Sequence, residues 1–144
     1  MLEAFMKEAL KEAKKALKYD EVPIGAVIVK DGKIIARGYN KMEKDNSPTS
    51  HAEIIAINKA CKKLSNWRLS GCEMYVTLEP CIMCYGAILN SRIDKLYVGA
   101  LDDKVGTTKL FKDKIDVDYS YLSDECEQIL KDFFKDVRKS KGKA

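Results

Sequence analysis

Apolar residues recur at three- and four-residue spacing from Leu2 through Phe5, Met6, Ala9, Leu10, Ala13 and Leu17, which predicts an amphipathic helix over residues 2 to 19. Past Tyr19-Asp20 the pattern changes. Residues 24 to 30 and 33 to 39 are β-rich runs separated by Asp31-Gly32, a strong hairpin signal, so these two strands are expected as antiparallel neighbours. The polar stretch from Lys41 to Ser50 leads to a helix from about His51 to Leu64, with Ile54, Ile55, Ile57 and Ala60 as apolar positions and Thr49 or Ser50 as its cap. A loop with Asn66-Trp67-Arg68 and Gly71 precedes a strand at 73 to 77, a helix at 81 to 90 and a strand at 95 to 100. The last helix, 122 to 139, carries Leu122, Cys126, Ile129, Leu130, Phe133 and Val137 as a stripe, with Phe134 off its centre. This alternation predicts an α/β sandwich, a mixed sheet with helices on both faces. The 81 to 90 helix is apolar nearly all round, so it needs cover on every side, and a second subunit is an expected source of it.

Length and charge narrow the picture. The 144 residues make one domain, with no repeat and no run of eighteen apolar residues, so a soluble, cytoplasmic protein without a signal peptide or membrane span is expected. The formal net charge is +4, and residues 131 to 144, with six basic side chains against Asp132 and Asp136, account for all of it. A cationic C-terminal helix and tail on a neutral body suits a polyanion such as RNA, although a solvated helix end explains the lysines equally well. Phe134 beside Arg138 could stack on an unpaired base, the competing reading being a core aromatic.

The candidate chemistry lies in two short stretches, His51-Ala52-Glu53 and Pro80-Cys81-Ile82-Met83-Cys84. Zinc takes imidazole nitrogen and thiolate sulfur, and three protein ligands leave its fourth position for water. His51, Cys81 and Cys84 supply three. A helix starting near Pro80 places both sulfurs on one face of its first turn, where the amide dipoles favour thiolate. Two thiolates cancel the formal charge of the zinc dication, so the metal acidifies water less strongly and a nearby base, Glu53, becomes useful. A fourth ligand from Cys61 or Cys72 would instead close the site and make it structural, and a lone Cys-x-x-Cys also suits a redox pair. Cys61, Cys72 and Cys126 are otherwise expected as buried or inert thiols.

The paired motifs resemble the zinc nucleobase deaminases, in which such a glutamate is the acid/base and not a ligand. More closely, the sequence resembles the bacterial tRNA-specific adenosine deaminases of the cytidine deaminase-like superfamily. The segments that carry this likeness are Glu21 to Val27, Gly38-Tyr39-Asn40, Pro48 to Glu53, Asn66 to Leu69, Tyr75 to Cys84, Ser91-Arg92-Ile93 and Phe133-Phe134. The resemblance implies a five-stranded sheet between helices, one zinc per subunit, a homodimer, and hydrolysis of adenosine to inosine at the wobble position of a tRNA anticodon. It also implies that Asn40 hydrogen-bonds the base, that the Ala52 amide and Glu53 face the pocket, that Pro80 walls it and Ile24 packs near the base, and that Asp102 and Lys104 lie beside flanking nucleotides. The chain departs from the family between Gly106 and Glu125, where it is shorter, lacks an Asn-His pair and offers only Ile115-Asp116-Val117 as a short strand. Two alternatives stand beside this reading: a deaminase of free guanine, cytosine or adenosine with the same mechanism, and a non-enzymatic zinc or RNA-binding module, which would leave Glu53 without a use.

Overall fold

A computed structural model describes residues 2–102, 114–119 and 121–142, the last five by their backbone alone. The first helix, α1, runs Leu2–Ala16 and tightens into a single 3-10 turn at Leu17–Tyr19, ended by Asp20 in the left-handed region. Strands β1 (Gly25–Lys30) and β2 (Lys33–Tyr39) pair antiparallel through Asp31 and Gly32. Both turn residues have positive φ, 51° and 75°, as the two-residue hairpin requires, and glycine accepts this without strain. One helical turn, α2 (Met42–Asp45), lies within the polar stretch from Lys41 to Ser50. Then follow α3 (Ala52–Leu64), β3 (Cys72–Leu78), α4 (Ile82–Asn90), β4 (Lys95–Ala100), β5 (Asp116–Tyr119) and α5 (Ser123–Gly142).

The sheet order is β2-β1-β3-β4-β5, with β1 antiparallel to both neighbours and the β3/β4 and β4/β5 pairs parallel. The fifth strand is therefore present despite the short segment before it, and it begins one residue after Ile115. Period-two alternation sorts the side chains into two cores. On one face Ala26, Ile28, Met74, Val76, Leu96 and Val98 pack against Ala56, Ala60, Tyr85 and Ile88 of α3 and α4. On the other, Val27, Val29, Tyr75 and Tyr97 meet Met6, Ala9 and Leu10 of α1 and Cys126 of α5. Tyr75 and Tyr97, directly opposite in the parallel register, stack at 4.3 Å between centroids and 4° between planes, and Phe5 tilts onto Tyr75 at 5.3 Å.

Glycine sets how closely α3 lies on the sheet. A Cβ on Gly38 would stand 2.4 Å from the Ala52 carbonyl oxygen and 2.9 Å from the Ala56 nitrogen. Only a bare backbone at this point of β2 lets the start of α3 sit where it does. The face of α4 turned away from the sheet keeps its apolar character, since Ile82 is 62% exposed and Met83 and Gly86 are half-buried. No helix among the described residues is long and apolar enough to cross a membrane.

Candidate active site

Two helix starts meet at one point. His51 and Cys81 are not inside their helices but at the N-caps of α3 and α4, both extended, with φ/ψ of −80°/153° and −74°/173°. The expectation of His51 in the first turn is thus corrected by one position. Neither Thr49 nor Ser50 caps α3, because the Ser50 hydroxyl donates to Asp45 at 3.0 Å instead. The caps make no side-chain hydrogen bond to their own helices, which leaves the imidazole and the thiol for another partner. Their carbonyls still close the first turns: Ile55 N–H donates to His51 at 3.0 Å and Tyr85 N–H to Cys81 at 2.9 Å.

His51 Nδ1 lies 3.4 Å from Cys84 Sγ and 3.7 Å from Cys81 Sγ, and all three ligand atoms fall within 4.8 Å of one another. A tetrahedral zinc with ordinary Zn–N and Zn–S lengths separates such atoms by about 3.6 Å. The donor set and its spacing fit the metal. Neither Cys61 nor Cys72 joins the group, so among the described residues the cluster has three members and not the four of a closed structural site. The Cys61 thiol points to the Trp67 carbonyl instead, and Cys72 and Cys126 are buried and free.

Electrostatics agree with a cation. Burial pushes the Cys84 thiol well above its ordinary range, with the nearby Glu53 and Cys81 adding to the effect, so a thiolate here needs positive charge beside it. Burial also lowers the His51 pKa, which keeps the imidazole in the neutral form that binds metal. Glu53, buried on the second residue of α3, is pushed up to about 7 by desolvation, opposed by its own backbone N–H and by Cys84. A carboxyl poised near neutrality both accepts and returns a proton readily.

Around this centre the structure gathers most of the residues singled out in the sequence. Asn40 is buried at the end of β2, its N–H donating to the Ile24 carbonyl at 3.1 Å, while its side-chain Oδ1 has no protein partner. A buried amide oxygen left in this state is suited to a ligand donor. Ala52 is fully buried at the first position of α3, Pro80 is buried just ahead of Cys81, and half-buried Ile24 packs against the core under α3 and α4. Asp102 is drawn in by a carboxylate: its N–H donates to Glu79 Oε1 at 2.9 Å. Phe134 is 45% exposed on α5, edge-on to Phe133 at 5.3 Å, in the layer across the sheet from α3 and α4. The Arg138 side chain and Lys104 lie outside the described residues.

Two supporting carboxylates escaped the sequence reading. Glu79 ties the end of β4 to the Pro80-Cys81 step, and buried Glu21 holds the start of α2 by accepting the Glu43 N–H at 2.8 Å. An acidic residue one or two positions ahead of a proline in each segment, Glu79-Pro80 and Glu21-Val22-Pro23, was the only available signal.

A mixed sheet whose parallel strands end at two helix starts, with His, Cys and Cys converging beside a buried glutamate, defines the class of nucleobase and nucleoside deaminases. The comparisons narrow it. The model of the MafB19-like deaminase family matches residues 2–138. The tRNA-specific adenosine deaminase of Bacillus subtilis (strain 168) is 46% identical over 99% of this chain and 94% of its own length. That of Aquifex aeolicus (strain VF5) is 45% identical over 94% and 95%. A solved structure from work on A-to-I editing by tRNA:A34 deaminases superposes with a TM-score of 0.85 at 45% identity, covering 88% of this chain and 99% of the other. A guanine deaminase from Nitrosomonas europaea reaches a TM-score of 0.82 at 26% identity, covering 91% and 83%. The chain belongs to the tRNA-specific adenosine deaminase family.

Proposed function

We propose that this protein converts adenosine to inosine at the wobble position of a tRNA anticodon by hydrolytic deamination. The observation that carries this reading is the convergence of His51, Cys81 and Cys84 within 4.8 Å, with buried Glu53 two residues beyond His51. These three residues would hold the zinc. When bound, zinc supplies a Lewis-acidic fourth position at which water becomes nucleophilic.

The chain's own groups do the rest. Glu53 takes a proton from the attacking water, delivers it to a ring nitrogen of the base, and later protonates the leaving amine. Water adds at C6 of the adenine and the C6–N bond breaks, so adenosine and water become inosine and ammonia. The Asn40 amide, with its open Oδ1, fixes the base edge. The Ala52 N–H, at a helix start with no acceptor inside its own helix, faces the same pocket. Pro80 and Ile24 line the walls and exclude water, and the Asp102 and Lys104 segment, with Phe134 and Arg138, meets neighbouring nucleotides. The base must leave its stack to reach this site, which an anticodon loop permits cheaply.

The apolar outward face of α4 supports a homodimer in which Ile82 and Met83 meet a second copy, and a tRNA substrate supports a cytoplasmic setting. The resemblance to guanine deaminases favours a second reading, action on a free base. A screen for ammonia release across free bases, nucleosides and a wobble-adenosine hairpin separates them. Inosine formed in the hairpin is the expected result, and turnover of free guanine or adenosine alone overturns the reading.

A further inference from the structure

Beside Asn40, the side chains of Tyr19, Tyr39, Lys41 and Lys44 form a cluster that the deamination chemistry does not use. Tyr19, on the 3-10 turn and 43% exposed, and Tyr39, the last residue of β2, hold their rings 7° from parallel with centroids 6.4 Å apart. Lys41 Nζ stands 4.6 Å over the Tyr39 ring and Lys44 Nζ stands 4.2 Å over the Tyr19 ring.

The backbone fixes this cluster at the rim of the metal cluster. Tyr39 and Lys41 flank the buried Asn40, and the Lys41 N–H donates at 2.9 Å to the carbonyl of Ser50, the residue before His51. Buried Glu21 anchors the turn that carries Lys44 through its bond to the Glu43 N–H. Anionic neighbours are present in Asp20, Glu43 and Asp45, but the Asp45 carboxylate accepts the Ser50 hydroxyl, and both lysines rest on rings.

Why this arrangement suits a polyanion follows from the two groups. Tyr19 is exposed and Tyr39 half-buried, and an ammonium over a ring at the surface keeps part of its hydration, so it can turn to a phosphate without leaving a buried charge unpaired. A tyrosine face accepts any base by stacking, and interleaved cations and aromatics are how single strands are gripped without sequence readout. The geometry points to a grip, built from Tyr19, Tyr39, Lys41 and Lys44, for the sugar-phosphate backbone of the RNA strand that flanks the nucleotide in the pocket. It rests on the proposed function and extends that site from the reacting base to its neighbours.

The test is the salt dependence of binding by the zinc-loaded protein to an anticodon hairpin carrying inosine at the wobble position, a product that does not turn over. Each phosphate-contacting lysine removed lowers the slope of log affinity against log salt by about 1. Lys41→Ala and Lys44→Ala are expected to show this loss, and Lys41→Arg and Lys44→Arg to retain the slope. Tyr19→Ala should weaken binding with the slope intact, because stacking releases no counterions. Lys33→Ala, the same charge change at the far end of β2, serves as the control and should leave the slope unchanged.

An equal loss at Lys33 overturns the inference in favour of a general field. So does an unchanged slope at Lys41 and Lys44 with a lowered melting temperature, which would make the cluster a clasp for α2 only. Wild-type protein that neither binds nor deaminates a hairpin overturns the functional reading and this inference together. Turnover with either of those variant patterns overturns this inference alone.

Discussion

At Glu53 two demands meet in one side chain: it must be close to the residues that would hold the metal, and dry enough for desolvation to raise its pKa. A place two residues past His51 and burial supply both. Glu53→Ala is expected to lower kcat by at least the two to four orders of magnitude typical of a lost acid/base group. Zinc content should be retained, because Glu53 is not among the ligand atoms. Metal analysis alongside rates checks both halves, and an unaffected rate removes the proton-shuttle mechanism. At this scale the site was legible because its residues are neighbours in sequence: His51 with Glu53, and Cys81 with Cys84. Glu21 and Glu79 were not, since each acts on a backbone amide more than twenty residues away, at Glu43 and Asp102, and spacing along the chain carries no trace of such a partner.

Among the elements, α4 carries the sharpest expectation. Its inward positions, Cys84, Tyr85 and Ile88, satisfy the core and the metal cluster, while Ile82, Met83 and Gly86 face outward. A Cβ on Gly86 would meet nothing within 4 Å in the single chain. Gly86→Glu should therefore leave the fold intact, and even favour the helix by up to about 1 kcal/mol. If the proposed contact between copies uses this face, the added charge should nonetheless give monomers, which size-exclusion chromatography with light scattering would detect. A dimer that persists shows that a different face pairs. Helix and strand identities followed from periodicity, but their ends did not. The start of α3 moved by one residue because a histidine with no capping bond took the N-cap. The α2 turn was missed because its four residues have no apolar period, and Glu21, distant in sequence, holds its first turn.

Across the whole molecule, the sheet is buried on both faces, and its two layers of helices do different work. The layer of α3 and α4 carries the candidate metal ligands His51, Cys81 and Cys84, while α1 and α5 close the opposite core around the Phe5, Tyr75 and Tyr97 rings. Tyr75→Ala empties the centre of that second core and is expected to cost about 3–5 kcal/mol in denaturant unfolding. Zinc stoichiometry at low denaturant should hold, since the cavity opens on the far side of the sheet. A loss below 1 kcal/mol would mean that this aromatic stack contributes little to stability. The α/β class was readable from alternating elements, but the order β2-β1-β3-β4-β5 was not, because pairing between β1 and β3 joins strands separated in the chain by β2, α2 and α3.

His51 and Cys81 sit at the hinge between loop and helix, and their own carbonyls receive the first-turn amides of Ile55 and Tyr85. Pulling the ion out with a chelator would thus unfasten two spirals at their beginnings while their middles stay wound. In deuterated water the amides of Ile55 and Tyr85 should then lose their protection ahead of Ala60 and Ile88, as a ravelling that starts at the catalytic end. Equal rates along both helices would show that the metal steadies only the side chains it touches.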